Sequence, residues 1–124
     1  MENELILMSI KTKYANLIFN GTKKYEYRRK TAKIKISTII IYETSPVKRI
    51  VGEAEVEDVL KFTPNTLWEK TKEESGISKD FFDDYFENVE TACAYKLGKV
   101  TMYDEPKSLE DYGIKSAPQS FIYI

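Results

Sequence analysis

The sequence contains no histidine and a single cysteine, Cys93. Without histidine the chain cannot form a Ser-His-Asp triad, a Cys-His dyad or an imidazole metal site. One cysteine gives neither an internal disulfide nor a cysteine zinc cluster. Any chemistry must therefore come from lysine, arginine, carboxylate, tyrosine or hydroxyl side chains, and we expect no metal and no cofactor.

Long apolar runs are absent as well. The longest, around residues 38–42, is far shorter than the roughly 18 residues that span a bilayer. The N-terminal segment MENELILMSI begins acidic and lacks a basic region and a cleavage site, so it does not resemble a secretion signal. A length of 124 residues with 42% hydrophobic content suffices for one buried core. We expect a single cytoplasmic domain over residues 1–124 that makes no membrane contact.

The net charge of −1 conceals a strong segregation along the chain. Residues 11–49 contain eleven basic and two acidic side chains, a charge of +9. Residues 50–124 contain eight basic and sixteen acidic side chains, a charge of −8. The basic segment predicts a positive surface that attracts an anion. The alternative is that the two halves neutralise each other in the folded structure.

The patterning of apolar and turn residues predicts a mixed α+β domain. Strands are expected over residues 5–10, 23–30, 38–44, 50–60, 91–103 and 119–124, with a bulge at Gly52 and a bend or hairpin at Gly98–Lys99. Helices are expected after Thr12, Thr63 and Ser78, each of which can act as an N-cap, and a helical turn over residues 108–112. The aromatic stripe of the third helix, Phe81, Phe82, Tyr85 and Phe86, is typical of core packing. This order favours a small β-barrel with helices packed over its openings.

Five motifs in this order resemble the ASCH domain of the PUA-like superfamily. They are SIKTKYA (9–15), GTKKYEYRR (21–29), IYETSP (41–46), IVGE (50–53) and APQSF (117–121), the last similar to the tail of bacterial members. The resemblance covers nearly the whole chain. It implies a small PUA-like β-barrel of mixed and antiparallel strands, flanked by several short helices, with a cleft beside the first helix. It also implies that the partner is RNA or a modified nucleotide.

Binding of single-stranded nucleic acid requires cations along the phosphates and flat faces on which bases stack. The candidate binding residues are Lys11, Lys13, Lys23, Lys24, Arg28, Arg29, Tyr42, Thr44, Ser45, Pro46, Gln119 and Ser120. Tyr42 is the preferred stacking residue, because Tyr25 and Tyr27 alternate with polar residues along their strand and are expected to face the core. Glu26 is an acidic residue in an otherwise basic strand, and the sequence leaves four roles open for it. It can form a salt bridge, accept a hydrogen bond from a base edge, orient a lysine or act as a base.

The enzymatic members suggest a second set of residues. Acetylcytidine amidohydrolases of the ASCH group are understood to use a lysine, a threonine and a glutamate, and the resemblance places Lys23 at the lysine and Glu26 at the threonine. Glu26 has no hydroxyl group, which argues against deacetylation, but Lys23 and Glu26 remain the candidate catalytic residues. They can cooperate only if Lys23 lies in the turn before the strand. A ribonuclease would instead use Tyr42, Lys48 and Ser120 in a metal-free site.

Three functions are therefore compared. The first is an RNA-binding domain that recognises RNA or a modified nucleotide in a basic cleft and regulates translation or transcription. The second is a metal-independent hydrolase that acts on a modified nucleoside or on RNA. The third is a protein-interaction domain that binds a partner chain through an apolar patch around Trp68 or Phe81. The charge segregation favours the first.

Overall fold

The computed structural model describes residues 4–124; residues 1–3, which begin the N-terminal segment discussed above, lie outside the described part. Within it, six strands form one sheet: β1 (Leu5–Ile10), β2 (Tyr25–Arg28), β3 (Thr38–Glu43), β4 (Arg49–Phe62), β5 (Ala92–Lys107) and β6 (Phe121–Tyr123). The helices of this part are α1 (Thr12–Phe19), α2 (Pro64–Thr71) and α3 (Lys79–Tyr85), with 3-10 turns at Lys72–Glu74 and Glu110–Tyr112. None of these helices is both long enough and apolar enough to cross a membrane.

The sheet has the strand order β2-β5-β4-β3-β1-β6. β1 and β3 pair in parallel, and the chain that connects them contains α1 and β2. Every other pair of neighbouring strands is antiparallel. The sheet curls into a half-barrel, and β2 and β6 are its edge strands. The predicted α+β class and PUA-like barrel architecture are confirmed, with the barrel left open between these two edges.

The two longest strands explain one wrong prediction. β5 continues without a break through Gly98 and Lys99, where a bend or hairpin was expected. The neighbouring β4 is irregular there, since the pairing register shifts on both sides of Val56. A Cβ atom at Gly98 would lie only 2.9 Å from Cγ of Glu57. Gly98 therefore makes room for the bulged partner strand rather than turning its own. The bulge predicted at Gly52 is confirmed, because the pairing register of β4 shifts next to this residue both with β3 and with β5.

The helix ends follow the sequence signals with one exception. Lys11, not Thr12, is the N-cap of α1, because the amides of Tyr14 and Ala15 both donate to the Lys11 carbonyl. The helix stops before Gly21, which adopts the left-handed φ of +87°. Ser78 caps α3 as predicted, and its Oγ accepts a hydrogen bond from the amide of Phe81 at 3.1 Å.

Three buried clusters surround the sheet. The first packs α1 against β1, β3, β4 and β5; the second packs α2 and α3 against β2 and β5; the third lies around Leu7, Ile40, Tyr42 and Ile50. Tyr25 and Tyr27 belong to the second cluster, which confirms that they face the core. Because α1 and α3 cover neighbouring parts of the half-barrel, the space between them stays open beside β2.

Candidate nucleic-acid interface

A cleft of about 490 Å³ lies between the start of α1, strand β2 and helix α3. It is built from the end of β1, the turn before β2, the segments after β3 and before β6, and the outer face of α3. Its lining residues are Ser9, Ile10, Lys11, Tyr14, Lys23, Glu26, Tyr27, Arg28, Thr44, Ile77, Phe81, Tyr85 and Gln119. The implied position beside the first helix is therefore where the structure has a cleft.

Lys23 is the most deeply buried cation of this cleft, with 3% of its surface exposed. It lies in the turn before β2, where its backbone amide donates to the carbonyl of Leu17 at 3.0 Å. Its Nζ atom donates to the carbonyl of Ser75 at 2.7 Å and lies 4.8 Å and 5.6 Å from the ring centroids of Tyr27 and Tyr14. Because it precedes the strand, Lys23 can face the same cavity as Glu26, the condition stated above for their cooperation.

Burial changes the protonation of Lys23. Removal of water from the ammonium group lowers the pKa of Lys23 from 10.5 to about 8. The Glu26 carboxylate opposes this shift and the Arg28 guanidinium adds to it. A fraction of the Lys23 amines is therefore neutral near neutral pH, which gives this residue the capacity to act as a base or a nucleophile.

Arg28 organises the open side of the half-barrel. Its Nε and Nη2 atoms donate to Oε2 of Glu26 at 3.1 Å and 2.9 Å. Nη2 also donates to the carbonyl of Ser9 at 3.0 Å, and Nη1 donates to Oγ of Ser120 at 3.0 Å. One guanidinium group thus links β2 to β1 and to the segment that precedes β6.

The opposite wall of the cleft is aromatic. Phe81 of α3 is 42% exposed, and its ring lies 5.7 Å from that of Tyr14 and 6.4 Å from that of Tyr85, nearly parallel to the latter. The guanidinium carbon of Arg29 lies 4.4 Å from the Tyr85 ring centroid, and its Nε donates to the Tyr85 carbonyl at 2.8 Å. Arg29 therefore holds Tyr85 in place at one end of the aromatic wall.

The prediction that the α3 stripe packs in the core is correct for three of its four residues. Phe82 and Phe86 are buried in the second cluster, Tyr85 packs against that cluster and also lines the cleft, and Phe81 is exposed in the cleft wall. Residues 81 and 85 lie on one helical face and residues 82 and 86 on the next. The sequence carries no separate signal for the role of Phe81, because an apolar stripe of this width is ordinary for a helix that packs on a core.

A second groove, of about 500 Å³, continues from the cleft across this wall. Tyr14, Ile77 and Phe81 line both spaces, so the two rings form the partition together with Ile77. The second groove adds the cations Lys13 and Lys72 and the hydroxyl of Thr22. The partition therefore has basic side chains on both of its sides.

The basic segment keeps its charge available in the folded protein. Within residues 4–124 the basic side chains of the segment 11–49 form one ion pair, Arg28 with Glu26, and both partners belong to that segment. The remaining three pairs of the described chain join residues within the acidic half. Direct ion pairing between the two halves, the alternative raised above, is not what the described residues show.

The predicted binding residues are divided among several locations. Lys11, Lys23, Glu26, Arg28, Thr44 and Gln119 line the cleft, Ser120 reaches it through Arg28, and Lys13 lines the second groove. Lys24, Ser45 and Pro46 are exposed and lie outside the lining, and Arg29 lies behind Tyr85. Lys48, which was named for the alternative ribonuclease site, is exposed with a φ of 52° and is not among the residues that line the cleft.

Tyr42, the preferred stacking residue, is buried outside the cleft. It packs with Leu7, Ile40 and Ile50 in the third cluster, because it shares a strand face with Ile40 two residues earlier. The aromatic faces that do line the cleft are Tyr14, Phe81 and Tyr85, with Tyr27 beneath Lys23.

Comparison with known proteins agrees with this architecture. A crystal structure of ASCH from Zymomonas mobilis superposes with a TM-score of 0.90 at 30% identity, covering 99% of this chain and 89% of the other. An ASCH domain-containing ribonuclease of Zymomonas mobilis subsp. mobilis is 36% identical over 92 residues, which is 73% of this chain and 62% of that protein. The large ribosomal subunit protein uL22 of Ureaplasma parvum serovar 3 is 34% identical over 122 residues, 98% of this chain. The chain spans 39% of the length of that ribosomal protein. Residues 8–107 match the ASCH domain, and the chain belongs to the ASCH domain family.

Proposed function

We propose that this domain binds single-stranded RNA, with one nucleotide in the cleft and its neighbour in the second groove. The observation that carries the proposal is a partition formed by the half-buried ring of Tyr14 and the exposed ring of Phe81. It is flanked by cations of the basic segment, Lys11 in the cleft and Lys13 in the second groove, that form no ion pair with described residues of the acidic half. Bases stack on such rings regardless of sequence, and cations follow the phosphates. RNA binding of this kind would suit a regulator of translation or transcription.

One relative supports RNA as the ligand, the protein that is named an ASCH domain-containing ribonuclease. The ASCH structure from Zymomonas mobilis shares the fold of this domain over nearly the whole chain. Because the bases of single-stranded RNA are unpaired, they can be turned out into a narrow cleft that a base-paired helix cannot enter.

Titration of a labelled single-stranded RNA, a DNA of the same sequence and an RNA duplex, at low and high salt, tests the proposal. We expect the single-stranded RNA to bind best and its affinity to fall with salt, with a slope that decreases by about 0.7 when Lys13 is replaced by alanine. Phe81→Ala should weaken binding by ~1–3 kcal/mol, the value of one stacked base. Tyr123→Ala, which removes an exposed ring outside both grooves, is the matched control. Salt-independent binding, or equal loss in both variants, would contradict the proposal.

The second candidate function is cleavage of the bound RNA. It is favoured by the 36% identity to a ribonuclease and by the lowered pKa of Lys23, which lies in the cleft and can accept a proton. Of the alternative set Tyr42, Lys48 and Ser120, only Ser120 contacts the cleft, through Arg28, while Tyr42 packs in the third cluster.

Incubation of labelled RNA with the purified protein separates cleavage from binding. If the domain cleaves RNA through Lys23, shortened products appear with wild type and with Lys24→Ala, which alters an exposed neighbour, and disappear with Lys23→Ala while RNA is still bound. Release of acetate from acetylcytidine under the same conditions would indicate the nucleoside hydrolase instead. Binding without any product leaves the primary proposal standing and eliminates the enzymatic ones.

A further inference from the structure

Among residues 4–124 the Glu26 carboxylate is the one acidic group that lines the cleft, and only one of its two oxygen atoms accepts a hydrogen bond. The residue is 8% exposed, and its Oε2 atom accepts both hydrogen bonds from Arg28. Its Oε1 atom is buried and accepts no hydrogen bond from any residue in the described range 4–124. A buried acceptor without a donor costs about 1–3 kcal/mol, so a group that donates to Oε1 would bind with a corresponding gain.

The protein's own donors near Glu26 are directed elsewhere. Lys23 donates to the Ser75 carbonyl and forms no ion pair with Glu26. Arg28 divides its donors among Oε2 of Glu26, the Ser9 carbonyl and Ser120. Oε1 is therefore available to an N–H or O–H group brought by a ligand.

The surroundings restrict what that ligand can be. Three cations, Lys11, Lys23 and Arg28, line the same cleft and disfavour a positively charged ligand such as a polyamine. The aromatic wall of Tyr14 and Phe81 favours a flat ring. A neutral, flat group with an N–H donor on its edge is a nucleobase, and all four unmodified bases of RNA present such a donor.

We infer that Glu26 reads the edge of the nucleobase held in the cleft, with Oε1 accepting a hydrogen bond from a base N–H group. This inference rests on the proposed RNA binding and gives its site a substrate class. Bases whose edge N–H is free are accepted, and bases whose edge N–H is replaced by alkyl groups are rejected. Lys23 can complete the recognition, because its ammonium group has donors beyond the one used on Ser75 and can serve the carbonyl or ring nitrogen beside the N–H.

Rejection would come from two sources. An alkylated base cannot donate to Oε1, so binding it would leave the carboxylate oxygen without a partner in a site from which water has been displaced. The added methyl group would also have to fit where the hydrogen bond would form. A methyl group placed on the far edge of the ring causes neither problem, which provides a matched control within the ligand.

The experiment compares short single-stranded RNAs in a binding titration. One series contains uridine, uridine methylated at ring nitrogen 3, which has lost its N–H, and uridine methylated at ring carbon 5, which keeps it. A second series contains cytidine and cytidine with a dimethylated amino group. With wild-type protein we expect the forms with a free N–H to bind about tenfold or more tightly than their blocked counterparts, a difference of at least about 1.4 kcal/mol.

Glu26→Gln is the diagnostic variant. Its amide oxygen can still accept from Arg28, which directs the amide NH₂ to the place of Oε1 and presents a donor instead of an acceptor. The preference for the free N–H should then fall to about one or reverse. Glu53→Gln makes the same change at a partly buried carboxylate that accepts from Tyr103 outside the cleft, and it should retain the wild-type preference.

Each other outcome overturns the inference in a recognisable way. Equal, salt-dependent binding of free and blocked bases by the wild-type protein would show that Oε1 is not used, while the proposed RNA binding would stand. A preference that survives in folded Glu26→Gln would assign the discrimination to shape alone. Absence of binding by every RNA would remove the proposed function and this inference with it. Because the wild-type comparison with the two methylated uridines decides the main point, it does not depend on the stability of the variant.

Discussion

Gly76 lies against the aliphatic part of Lys23, so closely that a Cβ atom at position 76 would lie 2.6 Å from the Cβ of Lys23 and 2.7 Å from its Cγ. Gly76 also has a φ of +69°, in the left-handed region that favours glycine. The adjacent Ser75 accepts the hydrogen bond from the Lys23 ammonium group. Ser75 and Gly76, between α2 and α3, thus position both the aliphatic part and the ammonium group of Lys23.

Gly76→Ala should therefore act on Lys23 as well as on the backbone. The left-handed φ alone costs an alanine roughly 1–2 kcal/mol, and the clash with Lys23 adds about 1–3 kcal/mol of overpacking. Gly113→Ala is the matched control, because Gly113 has a φ of +71° and no atom within 4 Å of the added Cβ. Urea unfolding should show a larger loss for Gly76→Ala, and RNA titration should show weakened binding for that variant alone. Equal unfolding losses would mean that Lys23 moves aside freely.

The sequence predicted those features that depend on neighbours along the chain. β1 was placed at its observed bounds by its apolar run, and the alternation of residues 23–30 placed Tyr25 and Tyr27 in the core, although the observed strand is shorter. The Ser78 cap was identified from its position before an amphipathic segment. Such local signals operate within one helical turn or along one strand, so they can be read from a single sequence.

The cleft, in contrast, depends on contacts between residues far apart in the sequence. The burial of Lys23 requires Ser75 and Gly76, which lie about fifty positions later in the sequence. The residues next to Lys23 therefore do not predict its burial. The place of Phe81 in the cleft wall depends on its contact with Tyr14 of another helix. The burial of Tyr42 follows from the strand face that it shares with Ile40, which the preference for a stacking residue near a turn overlooked.

The buried ammonium group should make stability depend on pH. Because the pKa of Lys23 is lowered from 10.5 to about 8 in the folded protein, the unfolded chain binds more protons between these values. The penalty for a charged Lys23 is complete below pH 8 and is relieved as the pH rises toward 10.5. Lys23→Met removes this penalty, so its stability relative to wild type should be greatest near pH 7 and should decline by on the order of 3 kcal/mol by pH 10.5.

Urea unfolding of wild type and Lys23→Met at several values between pH 7 and pH 10.5 measures this dependence. Lys24→Met replaces an exposed neighbour of the same type and is the matched control for the loss of one lysine. A constant difference between Lys23→Met and wild type would mean that the ammonium group keeps its ordinary pKa in the folded protein.

The cap of α3 should matter more than that of α2. Ser78 accepts a hydrogen bond from the amide of Phe81, whereas Thr63 precedes Pro64 and makes no side-chain bond to the backbone amides of α2. Ser78→Ala should cost about 1 kcal/mol of unfolding free energy, and Thr63→Ala should cost clearly less. Since α3 carries Phe81 into the aromatic wall, Ser78→Ala should also reduce RNA affinity. Equal unfolding costs at the two caps would contradict this account.

The pairing of Arg28 with Glu26 should appear as a strong coupling between the two residues. Both side chains are nearly buried, at 13% and 10% exposure, and Arg28 also ties β2 to Ser9 and Ser120. Arg28→Met leaves the Glu26 charge buried without its cation and should cost about 3–5 kcal/mol. Adding Glu26→Gln removes that charge, so the double variant should be more stable than Arg28→Met alone, although the bonds to Ser9 and Ser120 stay broken. A double-mutant cycle by urea unfolding measures the coupling, and strictly additive losses would mean that Arg28 contributes through Ser9 and Ser120 rather than through the carboxylate.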